Sequence, residues 1–339
     1  MITRTASSWH TEDWQIALSN SIRTLDALCE ALGLPAEMVS EGMGGERDFP
    51  VRVPMGYLAK IKKGDLDDPL LKQVLPLGAE KVAQPGFVAD PLAEQSSNPQ
   101  TGLLHKYQSR VLLVLSGACA INCRYCFRRH FPYEDNQLSG QELFRIQTYL
   151  MEHPEVNEVV LSGGDPLLQN NARLAKLLKI IEAVPSITRV RIHTRLPVVI
   201  PQRIDQGLIA LLRDLKLKVL LVTHVNHAQE LDEDFDLAMG YLKAAGVTLL
   251  NQSVLLHAVN NDAQTLAQLS ERLFQADVLP YYLHLLDPVA GAHHFDVPQG
   301  QARELMYQLQ GLLPGFLIPR LVREIPGKSG KTLIDLHLS

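Results

Sequence analysis

The strongest constraint on what this chain can become is a triplet of cysteines. Cys119, Cys123 and Cys126 stand at the spacing CxxxCxxC, with Tyr125 just before the last of them. The apolar run 111–115 leads straight into this loop and reads as a buried strand. Thiolates spaced in this way can each take one iron of a cubane cluster. A [4Fe–4S] cluster ordinarily has four cysteine ligands, so three leave one iron open to a substrate or cofactor. A zinc site is the competing reading. It asks for a fourth ligand, and His130 stands four residues past Cys126. Cys29 lies apart, inside a helical pattern, and reads as a small buried apolar residue.

The formal charge of −5 argues against a general affinity for nucleic acid, which wants a basic surface. No apolar run reaches the roughly 18 residues of a membrane span. Residues 1–14 are polar and lack the apolar core of a signal peptide. Clustered cysteines suit a reducing compartment better than a disulfide framework, so the expected location is the cytoplasm.

Residues 11–32 predict an amphipathic helix. Thr11-Glu-Asp supplies its capping chemistry, and Trp14, Leu18, Ile22, Leu25 and Leu28 give the apolar stripe. Further helical stretches are 55–61 and 68–74. The Pro-, Gly- and Ser-rich stretch 76–102 reads as an extended connecting arm. This divides the chain into an N-terminal helical region with its arm, residues 1–104, and a catalytic part, residues 105–339. In the second part, strand patterns at 111–115, 158–161, 190–193, 219–224, 248–255 and 281–286 alternate with helical ones. The helical patterns are 140–152, 171–183, 204–214, 232–245, 262–275 and 299–311. Six βα repeats predict an α/β fold with a parallel sheet covered by helices. That is too few for a closed eight-stranded barrel.

Ser162-Gly-Gly-Asp-Pro-Leu167 follows the second strand pattern. Its glycines allow close backbone approach and positive φ, and Asp165 adds a carboxylate suited to a cation. Taken alone, the motif is a turn. In order and spacing, Cys123-Arg-Tyr-Cys-Phe-Arg-Arg129, then this motif, then Pro326-Gly-Lys-Ser-Gly-Lys331 resemble the lysine 2,3-aminomutases of the radical S-adenosylmethionine superfamily. The likeness runs from about Trp14 to Lys331. It is strongest to the short form linked to modification of elongation factor P.

The resemblance implies a partial (β/α)6 radical SAM barrel with an N-terminal helical extension. It implies a [4Fe–4S] cluster on Cys119, Cys123 and Cys126, with S-adenosylmethionine on the open iron. Gly163, Gly164 and Asp165 would serve the amino group of that cofactor, with His224 and Gln252 near it. Lys331 would carry pyridoxal 5′-phosphate, with Arg110 close by. Arg128 would bind the substrate carboxylate, and Asp287 and Glu324 the side-chain ammonium of lysine. Two departures stand out. Lys328 and Ser329 replace glycines of the family loop, so Lys328 competes with Lys331, and Glu324 stands where longer members have Asp. No cysteine follows Cys126, and the chain stops eight residues after Lys331. The zinc-binding C-terminal extension of the longer members is therefore expected to be missing, and any dimer held differently.

The implied activity converts (S)-α-lysine to (R)-β-lysine. The product would pass to a lysyl-tRNA-synthetase-like ligase that attaches it to elongation factor P. Free L-lysine is the expected substrate, an unidentified donor supplies the electron, and neither membrane nor nucleic acid takes part directly. Two other readings remain: a 2,3-aminomutase for another amino acid, and a non-catalytic iron–sulfur module.

Overall fold

The computed structural model describes residues 13–133 and 140–336. Nine strands lie in one sheet in the order of the sequence. They are β1 (Leu103–Tyr107), β2 (Arg110–Ser116), β3 (Glu158–Gly163), β4 (Arg189–Thr194), β5 (Lys218–His224), β6 (Thr248–Val254), β7 (Leu279–His284), β8 (Arg320–Arg323) and β9 (Thr332–Leu333). From β2 to β8 every neighbouring pair is parallel. β1 and β9 add antiparallel edges. A parallel pair needs a crossover of a dozen residues or more. Helices Gly140–Glu152, Asn171–Glu182, Gln206–Arg213, Glu233–Ala244, Ala263–Gln275 and Gln299–Leu312 supply one in each gap. The six expected strands are thus β2 to β7 of a partial barrel, and β8 extends the parallel order by one.

The N-terminal pattern breaks into two helices, Trp14–Ser19 and Leu25–Leu32. Between them Ile22 exchanges both main-chain hydrogen bonds with Val53, at 2.8 and 2.9 Å. Thr11 lies outside the described residues, and Asp13 caps the first helix through Gln15 N–H. A helix that the glycine content hides, Glu37–Asp48, follows. The stretch 55–61 is helical only over Met55–Leu58, and 68–74 over Pro69–Lys72. The stretch 76–102 holds two 3-10 turns, Gly78–Lys81 and Glu94–Ser97. The main hydrophobic cluster joins Leu25, Leu28, Val53, Tyr57 and Leu70 of the N-terminal region to Val159, Leu161, Val198 and Leu221 of the barrel.

Candidate active site

The strands and the loops at their C-terminal ends line a cavity of about 380 Å³. Every residue singled out above for cofactor or substrate lines it: the three cysteines, Arg110, Arg128, Gly163, Gly164, Asp165, His224, Gln252, Asp287, Glu324 and Lys331. Of the two competing lysines, Lys331 lines the cavity, whereas Lys328 is exposed.

The cysteine loop takes its shape from the N-terminal region. Arg124 is fully buried and donates to both carboxylate oxygens of Glu80, at 2.8 and 2.5 Å. It also donates to the carbonyls of Phe49 at 2.5 Å and Gly45 at 3.0 Å. Arg52 Nη1 donates to the Cys119 carbonyl at 2.8 Å. Asn122 donates from its main chain to Arg52 O at 3.1 Å and from its side chain to Pro50 O at 2.9 Å.

Among the described residues, no three His, Cys, Asp or Glu side chains converge to hold one metal. His130 instead places Nε2 3.2 Å from the Ala290 carbonyl. A cubane asks for one sulfur per iron. Burial, then the charge of neighbouring cysteines, raises the thiols of Cys119 and Cys126, the latter to about 11. Metal binding must displace these protons.

Gly163 and Gly164 bring two loops together. Gly163 has φ +116°, and a Cβ on Gly164 would stand 2.1 Å from the Ala118 carbonyl oxygen. Gly164 N–H donates to Ser116 O at 2.6 Å, and Asp165 N–H to Ala118 O at 2.9 Å. The close approach is thus to the cysteine loop itself. The Asp165 carboxylate already accepts from Thr194 Oγ1 at 2.8 and 2.9 Å and from the N–H groups of Arg195 at 2.8 Å and Leu167 at 3.0 Å. It ties the β3 loop to the end of β4. It is not the free carboxylate that the motif offers to a cation. His224 and Gln252 are register partners on β5 and β6. His224 stacks on Tyr125, its Nε2 2.9 Å from the phenol oxygen, and burial pushes it down to about 3, so it is neutral.

Across the cavity, Lys331 Nζ lies 2.6 Å from Glu324 Oε2. Tyr107 donates to Glu324 Oε1 at 2.8 Å, and Lys106 stands 3.5 Å from the same oxygen. Burial pushes the Glu324 carboxyl up, but Lys331 and then Lys106 outweigh it and bring it to about 2. Asp287 behaves oppositely. Burial raises it to about 7, and its Oδ1 is buried without a partner. Arg128 is buried, and Glu94 fills its fork at 2.7 and 2.9 Å. Its Nη1 donates to Ser162 Oγ at 3.0 Å and to Gly163 O at 3.4 Å. Four of the five guanidinium N–H donors are engaged, and one Nη2 hydrogen remains.

Several lining residues escape the sequence patterns: Glu94, Lys106, Arg191, His193, Arg195 and His284. Arg191 and His193 alternate with buried Val190 and Ile192 on β4. That period of two was the available signal. Arg191 Nε, His193 Nε2 and His284 Nε2 are buried without partners. Arg110 lies over the Tyr107 ring at 4.1 Å. Arg191 is paired with Glu158, which also lines the cavity, so Arg110 and the unpaired ring nitrogens beside Lys331 are the groups that fit a phosphorylated, aromatic aldehyde.

Residues 113–246 match the Radical SAM superfamily. The chain is 49% identical to the L-lysine 2,3-aminomutase of Escherichia coli over 96% of both chains. It is 47% identical to that of Haemophilus influenzae over 95% of both. It is 34% identical to that of Clostridium subterminale over 94% of this chain and 77% of the other. At such identity over nearly its full length, the chain belongs to the L-lysine 2,3-aminomutase family of radical SAM isomerases.

Proposed function

We propose that this protein converts (S)-α-lysine to (R)-β-lysine, using a [4Fe–4S] cluster, S-adenosylmethionine and pyridoxal 5′-phosphate. One observation carries the reading. The cysteine triplet, a lysine amine and a carboxylate pair share one cavity. When bound, the cluster with S-adenosylmethionine supplies a carbon radical able to take hydrogen from an unactivated carbon, and pyridoxal phosphate supplies an aldehyde for the migrating amine.

The chain's own groups bind and orient. Cys119, Cys123 and Cys126 would each hold an iron. Lys331 would hold the aldehyde cofactor, and Arg110 would meet its phosphate. Glu324, which pairs with Lys331 in the free protein, would accept the ammonium of a substrate side chain. Asp287, with its unpaired oxygen, is the second acceptor. Two acids at this end favour lysine and oppose glutamate. The remaining Nη2 hydrogen of Arg128 meets the substrate carboxylate.

Lysine joined to a protein through an amide has no carboxylate for Arg128. Free lysine is therefore the proposed substrate. Its product would go to the ligase acting on elongation factor P, with a low-potential one-electron donor as the other partner. The test is an anaerobic assay of reconstituted protein with dithionite, both small cofactors and lysine, arginine or glutamate in turn. β-Lysine together with 5′-deoxyadenosine is the expected result. A β-amino acid from arginine or glutamate alone would move the substrate assignment. Absence of 5′-deoxyadenosine from a cluster-loaded protein would leave an iron–sulfur module.

A further inference from the structure

Arg195 directly follows β4 and reaches the cysteine loop. It is buried, and its Nη1 donates to Sγ of Cys123 and to Tyr125 Oη at 2.7 Å. Its Nη2 donates to Glu230 Oε2 at 2.7 Å and to Gln73 Oε1 at 2.8 Å. Asp165 holds its main chain. Glu230 has no exposed surface. Its other oxygen accepts from the N–H groups of Asn226 at 2.9 Å and His227 at 3.0 Å, and from Gln73 Nε2 at 3.2 Å. A fixed positive charge thus lies on one thiol sulfur, and a fixed negative charge lies one guanidinium farther out. Both side chains are buried, so screening is weak.

We propose that the Arg195–Glu230 pair sets the reduction potential of the iron–sulfur cluster through Cys123, with Arg195 raising it and Glu230 lowering it. This rests on the reading that the three cysteines hold a [4Fe–4S] cluster. Reduction is a one-electron step, [4Fe–4S]2+ plus one electron giving [4Fe–4S]+. The electron comes from a low-potential one-electron donor, and no proton moves. The added negative charge spreads over iron and sulfur, the Cys123 sulfur included. A guanidinium donor on that sulfur stabilises the reduced form more than the oxidised one. A buried carboxylate nearby does the reverse. Hydrogen bonds to sulfur and net charge are the levers that tune such clusters.

The pairing answers a conflict. Cleaving a sulfonium needs a strongly reducing cluster, which a lone arginine would oppose. The loop still needs the arginine to fix Cys123 and Tyr125. Glu230 offsets the charge and keeps the contacts. Arg195 is therefore a positioning residue whose electrostatic cost is cancelled next door.

The experiment is an EPR-monitored redox titration of reconstituted full-length protein with dithionite, without S-adenosylmethionine. Arg195→Met should make the cluster harder to reduce, by about tenfold in the reduced-to-oxidised ratio at fixed potential, or about 59 mV. Glu230→Gln should shift it by a similar amount the other way, and Arg195→Lys should stay nearer the wild type. A purely structural role predicts shifts of one sign or none. Equal signs, or no shift, in cluster-loaded variants would overturn the proposal and leave the cluster reading standing. Iron content and absorbance of the wild type come first, because a wild type that assembles no four-iron cluster overturns both. If Arg195→Met assembles none, Glu230→Gln decides: an upward shift supports the proposal, and any other result rejects it.

Discussion

Asp287 and Glu324 are two carboxylates in one cavity with opposite proton affinities. Glu324, held at about 2 by Lys331 and Lys106, is ionised while those ammonium groups face it. Asp287, raised to about 7 by burial and only partly restrained by Lys331, gains its charge near neutrality. A substrate ammonium binds the ionised form of Asp287. Below pH 7 a proton occupies that oxygen and the ion pair is lost. The prediction is a kcat/KM for lysine that rises through about pH 7 and then levels. In Asp287→Asn this limb should vanish. Losing a charge-assisted contact of roughly 2–5 kcal/mol should also cut kcat/KM by about 30- to 4,000-fold at 1.4 kcal/mol per decade. The pH profiles of the two proteins decide it, and a limb that survived in the variant would remove Asp287 from substrate binding. The same scale shows what a sequence can name. The acids of the pocket were legible as residue types in a motif order. Asp287's raised proton affinity was not, because it comes from burial among residues far apart in the chain. Glu94 was hidden altogether. Nothing in a Pro- and Ser-rich stretch says that one of its acids will close on Arg128.

At the scale of elements, patterns of side chains were legible and main-chain pairing was not. The six long strands and the helices between them follow apolar periodicity, and they stand near where it puts them, with β7 beginning and ending two residues earlier than the expected 281–286. β8 and β9 are short, and a run of two to four residues carries no period. The break near Ile22 comes from main-chain bonds to Val53 that no side chain announces. Helix Glu37–Asp48 carries Gly42, Gly44 and Gly45, and each glycine weakens a helical pattern. In fact Gly42 is buried, and a Cβ there would stand 2.6 Å from the Pro76 carbonyl oxygen. Gly240, inside Glu233–Ala244, has no atom within 4 Å of such a Cβ. The two glycines should thus respond oppositely to alanine. Gly240→Ala should stabilise the protein by about 0.8–1 kcal/mol, the difference in helix propensity. Gly42→Ala should destabilise it by roughly 1–3 kcal/mol through overpacking. Denaturant midpoints measured at equal slope check both, and a Gly42→Ala protein as stable as the parent would deny the close approach.

Over the whole molecule, the N-terminal helices and the barrel share a core and a polar seam. Lys60 Nζ donates to Val198 O at 3.2 Å and Glu230 O at 2.7 Å, and pairs with Asp232 at 2.7 Å. Gln229 returns the contact, donating to Lys60 O at 2.8 Å and Asp68 Oδ2 at 2.7 Å. Gln73 accepts from Arg195, while the Gln73 carbonyl holds Arg124 N–H of the cysteine loop. Unfolding the first hundred residues alone would expose Leu25, Leu28, Tyr57 and Leu70 together with the barrel side chains they cover. It would also strand the buried charges of Arg124 and Arg128, whose partners are Glu80 and Glu94. Breaking one partner of a buried ion pair costs about 3–5 kcal/mol, so the two parts should come apart together. Both tryptophans, Trp9 and Trp14, belong to the N-terminal region, and Trp14 packs against barrel Arg203, whose guanidinium lies 5.0 Å from its ring. Tryptophan fluorescence therefore follows one part, while far-ultraviolet circular dichroism follows mainly the barrel helices. Coincident transitions by different probes are the mark of one cooperative unit. Urea unfolding should show that coincidence. A fluorescence midpoint clearly below the dichroism midpoint would mean that residues 1–104 fold and unfold as a separate unit, and that the cysteine loop keeps its shape without them.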